Sequence, residues 1–334
     1  MKKGHKKFQM FAIPAEVVRI ILGFMSERDS IILSFMSRKF CYFVRTMRMQ
    51  GKRIFFNFHP NQVDMGVEMM SGDKFYFPLP FNNLWSTNRQ LSQIWLGGYV
   101  EDTRKWQFRN FFDQLKIVIN HSAVDTIRFS ADATNFNLQS VLEDIGNPIC
   151  LHIERTGSDQ ANYDIVNHFD TPIVNLHVPL LERVPEGILS RKFEELHICK
   201  TNYEDGRGES HFHLEDILVT NAKNVYLGQI WMTLKDMNQF LKRLRQGSNL
   251  ELKFLTVVVD DEITPENVLE GLQTSVATTT PQKPVTKYRF NRNFYLISIN
   301  PVEFFDYVTV DGRIVTVNIR GRTVSIYVRD TELI

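Results

Sequence analysis

The sequence predicts an α/β fold: a small N-terminal module of short helices, a longer region alternating strands with helices, and closing β-hairpins. Three observations predict it. Residues 11–45 carry apolar residues at helical spacing. A unit of the form apolar-x-x-apolar-x-apolar recurs between residues 124 and 257. Beyond residue 303, runs of β-branched residues alternate with Asp-Gly and Arg-Gly turns.

The chain has 334 residues, enough for a small module beside a large domain. Apolar residues make up 43% and charged residues 23%, an ordinary globular composition. A net charge of +1 gives no general attraction to nucleic acid or to an anionic membrane. The opening KKGHKK is short and reads as a solvated tail. The three cysteines, Cys41, Cys150 and Cys199, form no CxxC pair, which argues for a reducing compartment and against a disulfide framework. No apolar run approaches the roughly 20 residues a membrane span needs. Glu16, Arg19, Glu27, Arg28 and Asp29 interrupt the first apolar stretch, so it is not a secretory signal. The expected location is cytoplasmic or nuclear, with no membrane partner.

The first helix is expected to open at Ile13-Pro14, since proline at the first helical position forfeits no hydrogen bond. At about 100° per residue, Val17, Val18, Ile20, Ile21, Leu22, Phe24 and Met25 spread over roughly 200° of its circumference. One core needs a stripe of only about 100°. The helix therefore has two expected apolar neighbours: its own module and a second surface. Ser26-Glu-Arg-Asp29 is a capping signal, with Asp29 able to cap the next helix, and Ser37 would cap a third. Physics alone leaves two readings open: a helical cap on the larger domain, or a docking module.

The order and spacing of these residues resemble an F-box. Ile13-Pro14-x-Glu16-Val17 matches the family's opening, Ile21-Leu22 its Ile-Leu pair, and Phe24 or Met25 the next apolar position. Asp29 matches the usual acidic residue, and Ser37-Arg38-Lys39-Phe40 the Ser-basic-basic-aromatic end. Ile13 replaces the usual Leu, and Phe40 stands where many members carry Trp. The resemblance covers residues 8–48. It implies binding to the Skp adaptor of cullin-based ubiquitin ligases, with Ile13, Pro14, Val17, Ile21 and Leu22 as the adaptor-facing residues.

In the large domain, residues 52–330, Arg53–Phe58 reads as a strand and residues 59–100 as irregular, punctuated by Pro60, Pro78, Pro80 and Gly97-Gly98. Trp106 to Ile119 has helical spacing of Phe108, Phe111, Phe112, Leu115 and Val118. The repeat follows. Its anchors Ile127, Leu151, Leu176, Leu196, Val225 and Leu255 are separated, by subtraction, by 24, 25, 20, 29 and 30 residues. Leucine-rich repeats run about 20–29 residues with a similar strand pattern. The family's Asn or Cys three residues after the second core Leu is missing, however; Asp132, Leu181, Thr201, Ile230 and Asp260 stand there. The region is leucine-rich-repeat-like, a strand–helix curved sheet, with an open α/β sheet as the competing reading. Leu138–Ile145 is an intervening helix. Thr233-Leu-Lys-Asp236 opens another that Gly247 closes, and Thr264-Pro265 opens a third. After the polar loop at 278–284 come strand-like runs at 295–299, 307–310, 314–319 and 324–328.

The post-F-box region also resembles the F-box-associated domain of the large nematode F-box family. The matching pieces are the Leu234–Gly247 helix, with Asn238-x-Phe240-Leu-Lys, and the closing Phe305-Asp306 and Asp311-Gly312 strands. This resemblance implies the target-recruiting half of an adaptor.

Candidate sites follow from strand geometry. In an apolar-x-apolar strand the middle residue points to the opposite face. Arg128, His152, His177, His197, Tyr226 and Thr256 would then form a row on an open sheet face, suited to an acidic or phosphorylated segment of an unknown protein target. A metal-binding histidine ladder is not expected, because no carboxylate stands at an orienting position. His211-Phe-His213, with Glu209 and Glu215, has ligand-type residues but falls in an expected loop. Phosphate-binding, zinc-protease and serine-hydrolase signatures are absent, so no catalytic residue, metal or cofactor is nominated. The leading expectation is a non-enzymatic recruiter joining the Skp adaptor, and through it a cullin, to a target. The rival is a leucine-rich-repeat-like binding scaffold unrelated to ubiquitination, with the N-terminal helices as its cap.

Overall fold

The structure, a computed structural model, describes residues 13–36, 38–60, 62–80, 94–96, 99–101, 108–130, 133, 136–154, 159–178, 186–200, 212–259, 263–276 and 303–330. The chain divides into two compact units. The first holds Met1–Ile127 and Asn135–Gly146, and the second Arg128–Thr134 and Asn147–Ile334. The sequence had drawn its boundary differently, at 48–52.

The first unit begins with three helices: α1 (Ala15–Phe24), α2 (Glu27–Met36) and α3 (Arg38–Thr46). Pro14 is the residue before α1 rather than its first helical residue, and its carbonyl accepts the Val18 N–H at 3.1 Å. Ser26, not Asp29, caps α2: its Oγ accepts the Asp29 N–H at 3.1 Å and donates to the Asp29 carboxylate at 2.7 Å. The expected cap at Ser37 lies outside the described residues.

Strands β1 (Gly51–His59), β2 (Gln62–Met69) and β3 (Lys74–Pro80) follow as an antiparallel meander. This corrects the irregular reading of residues 59–80. The alternation was present, since Val63, Met65, Val67, Met69 and then Phe75, Phe77 and Leu79 are all buried on one face. Gly66 and Pro78 masked it. Gly66 is small for a reason: a Cβ there would stand 2.0 Å from the Phe55 ring, which lies across it and meets Tyr76 edge-on at 5.6 Å. Strands β4 (Ile94–Leu96) and β5 (Tyr99–Glu101) form a small separate pair.

Helix α4 (Phe108–Val118) covers the buried face with the residues expected of it. Phe56 packs edge-on against Phe112 at 5.4 Å, and Phe111 stacks on Phe35 of α2 at 4.4 Å. Gln114 Nε2 donates to the Ser34 carbonyl at 2.7 Å. The N-terminal helices thus share their core with α4, which is why the compact unit runs past residue 52.

The unit boundary falls inside β6 (Thr126–Phe129). Helix α5 (Leu138–Ile145) belongs to the first unit, with Asn137 Oδ1 accepting the Ser140 N–H at its start.

The second unit alternates strands and helices: β7 (Cys150–Glu154), α6 (Asp159–His168), β8 (Ile173–Val178), α7 (Glu186–Leu189), β9 (Phe193–Lys200), α8 (Leu214–Val219), β10 (Ala222–Met232), α9 (Leu234–Arg245), β11 (Phe254–Val259) and α10 (Pro265–Val268). It ends in β12 (Ser275–Val276), β13 (Glu303–Val308), β14 (Ile314–Arg320) and β15 (Thr323–Arg329). Strands β7 to β11 pair in parallel, and β15 joins β11 antiparallel and leads back through β14 and β13 to β12. Gly312 and Gly321 close the two hairpins at φ 87° and 55°, as Asp-Gly and Arg-Gly suggested. The expected strand at 295–299 lies outside the described residues.

The repeat anchors Leu151, Leu176, Leu196, Val225 and Leu255 are all buried in these strands. A set of polar side chains ties the turns between these strands and helices. Thr171 Oγ1 donates to the Ile149 carbonyl at 3.1 Å, and Arg191 to the Phe169 carbonyl at 3.2 Å. Asn249 Nδ2 donates to the Ile217 carbonyl at 2.9 Å, and Arg313 Nη2 to the Ser248 carbonyl at 3.2 Å. These bonds satisfy carbonyls at helix ends and in the turns that follow them. Among the described residues, no helix is long and apolar enough to cross a membrane.

Candidate functional site

Two regions hold the nominated residues, one in each unit. In the first unit, α1 sorts its side chains into sectors. Val18 and Leu22 turn inward and, with Ile13, Ile21, Leu33 and Phe40, line a small apolar recess of the helical module. Val17, Ile20, Ile21 and Phe24 form a stripe at i, i+3, i+4 and i+7 that remains open. Val17 is 42% exposed, Ile21 39% and Phe24 88%. The roughly 200° apolar arc therefore splits in two, as a helix between two apolar surfaces requires. Leu22 lies on the inward side and Pro14 at the exposed start of the helix. Ile20 and Phe24 were missed as site candidates, although the same angular bookkeeping would have placed them beside Val17.

In the second unit, register decides which row residues meet. His152 pairs with Asn175, Asn175 with His197, His197 with Tyr226, Tyr226 with Thr256 and Thr256 with Ser325. His177 is not in this row. It sits in the next one, between Glu154 and Cys199. The cause is a register offset: β8 reaches two residues further along than a centre-aligned pattern assumes. Rows two residues apart share a face, so His152 and His177 still meet, with ring centroids 4.6 Å apart.

The face is not the open surface expected. His152, Asn175, His197, Tyr226, Phe254, Thr256 and Tyr327 are all buried, as are the anchors on the opposite side. His197 stacks flat on Tyr226 at 4.2 Å, and Tyr226 and Tyr327 each lie 5.1 Å from Phe254. Asn175 Nδ2 donates to Cys150 Sγ at 3.1 Å. Thr256 Oγ1 and Ser325 Oγ are 3.2 Å apart.

Carboxylates do stand beside the histidines, contrary to expectation. Glu195 Oε2 lies 3.2 Å from His197 Nε2, and Glu154 Oε1 3.5 Å from His152 Nε2. Each stands two residues away on the same strand, a spacing the sequence shows plainly. Arg128 also pairs with Glu154. The His152 side chain and the Arg128 guanidinium hold Glu154 down at about 2, against the opposing effect of burial. Burial pushes His152 below its ordinary range and, with His152 alongside, brings His177 down to about 4. Burial raises the Cys199 thiol to about 11, so it stays protonated. Around His152 and His177 the cluster is therefore an Arg128–Glu154 pair beside two imidazoles of lowered basicity. It offers no surplus positive charge to an acidic or phosphorylated segment.

Among the described residues, no group of His, Cys, Asp and Glu is arranged to hold a metal ion. His211 and Glu209 lie outside the described residues. His213 precedes α8, where its N–H donates to Asp216 at 3.0 Å.

This is a mixed α/β protein with an apolar helix stripe in one unit and a buried polar row in the other. Residues 184–257, spanning α7 to the middle of β11, match a protein-family model described as F-box associated. No curated protein and no solved structure matches the chain.

Proposed function

We propose that this chain is a non-enzymatic, target-recruiting subunit of a Skp–cullin–F-box ubiquitin ligase. In this reading residues 8–48 are the F-box, α1 docks on the Skp adaptor, and the second unit holds a target protein. Ubiquitin transfer is then promoted by tethering, which raises the effective concentration of the target near a ubiquitin-charged enzyme held elsewhere. The observation that carries the reading is the open stripe Val17, Ile20, Ile21 and Phe24 in a chain whose residues 184–257 match an F-box-associated domain.

The test is co-purification with a Skp-family adaptor. Val17→Asp and Phe24→Asp should abolish it while leaving the free chain folded, because both side chains are exposed and neither lines the apolar recess. Leu22→Asp is a poor test: it would bury an unpaired carboxylate and cost several kcal/mol of stability. Undiminished co-purification of both charged variants would end the proposal.

The rival scaffold reading has one observation in its favour, the Phe35–Phe111 stack that joins α2 to α4. It treats the helices as an integral cap, and it predicts no adaptor binding by the wild-type chain.

A further inference from the structure

The exposed large apolar side chains of the second unit lie on two segments that are hydrogen-bonded to each other. Among its described residues they are Leu250 at 65%, Val308 at 59% and Val310 at 81%. Hydrogen bonds hold these segments together. The Val310 N–H donates to the Arg245 carbonyl at 2.8 Å. The buried Arg313 guanidinium reaches the carbonyls of Asn249 at 3.3 Å and Leu250 at 3.4 Å. The α9–β11 connection and the β13–β14 turn therefore form one fixed apolar edge. Scattered exposed apolar residues need no explanation, but a pinned set marks an interaction site.

The charges around this edge indicate what it faces. Its carboxylates are already engaged: Asp311 with Arg313 at 2.9 Å, Glu251 with Lys192 at 3.8 Å, and Asp330 with Lys253. The last turn of α9 supplies Arg243 and Arg245, which make no ion pair among the described residues. The unspent charge is positive. A second copy of this chain is a poor occupant, because a two-fold contact sets the same patch against itself and would bring these cations together.

We propose that this edge docks an acidic segment with apolar anchor residues, carried by the protein this chain recruits. The assignment rests on the recruiting role proposed above and names its target chemistry. Apolar anchors would cover Leu250 and Val310, and the α9 cations would steer and orient the acidic flanks. It also moves target recognition away from the buried His–Tyr row, which has neither exposure nor surplus charge.

The experiment uses the full chain and a fluorescein-labelled probe peptide in which Glu alternates with Leu and Phe. One control peptide replaces Glu with Lys, and another replaces Leu and Phe with Ser. Fluorescence anisotropy should show binding of the acidic apolar probe alone. Val310→Ser and Leu250→Ser should each weaken it about tenfold, and Arg243→Glu several-fold with a flatter salt dependence. All three positions are exposed, so unfolding midpoints should not move. Equal binding by the variants, equal binding of the Lys peptide, or a concentration-dependent dimer lost in Val310→Ser would overturn the proposal. Adaptor co-purification by Val310→Ser separates the two claims. If the wild-type chain binds no adaptor while the probe pattern holds, the ligase reading falls and the docking edge stands. If adaptor binding holds while the probe pattern fails, only the edge falls.

Discussion

His177 shows how one residue's surroundings set its chemistry. Half-buried beside His152 and with Arg128 near, it titrates at about 4 rather than in the ordinary histidine range. The unfolded chain binds a proton there near pH 6.5 and the folded chain does not, so stability is full above that pH and falls as pH drops toward 4. That loss is on the order of 3 kcal/mol for this residue. A His177→Gln variant should show a flatter urea midpoint between pH 6.5 and 4 than the parent, and an unchanged slope would contradict the burial argument. Gly66 gives a second residue-scale expectation. Gly66→Ala places a methyl into the Phe55 ring and should cost about 1–3 kcal/mol by thermal unfolding. The residue types of the buried row were legible in the sequence, because alternation put each middle residue on one face. The partner of each was not: strand offset, which no local pattern records, put Asn175 opposite His152 and moved His177 to the next row.

At the scale of elements, the turns entering the parallel strands depend on polar side chains supplied by neighbouring units. Asn249→Ala frees the Ile217 carbonyl and should cost about 1–2 kcal/mol. Arg313→Ala should cost more, about 2–4 kcal/mol, since the guanidinium serves the carbonyls of Ser248, Asn249 and Leu250 and pairs with Asp311. Chemical denaturation of both variants checks the order. None of these clasps was readable in advance. Arg313 lies 65 residues from Ser248, and nothing near either residue indicates the contact. Helix α4, by contrast, was legible down to Phe111 and Leu115, because apolar spacing alone determines which side faces a core. The β2–β3 meander was just as regular, and Gly66 and Pro78 obscured it only because both residues more often mark loops.

At the scale of the whole molecule, the compact units show that the N-terminal helices are not a free appendage. Removing residues 1–48 would uncover Phe111, whose stacking partner Phe35 is lost, and should destabilise the first unit whichever functional reading holds. A truncated chain that melts earlier therefore says little about docking, and single charged substitutions on the open stripe are the cleaner probe. The match at residues 184–257 lies wholly in the second unit, while the stripe proposed to bind the adaptor lies wholly in the first. One titration tests most directly whether the stripe and the matched domain serve one recruiting chain. Purified Skp-family adaptor is added to the full chain and to its Val17→Asp variant in a calorimeter. The account predicts saturable one-to-one binding by the parent and a loss of at least about a hundredfold in the variant, with unchanged unfolding midpoints. Equal affinity for both chains, or no heat of binding with the parent, would contradict it.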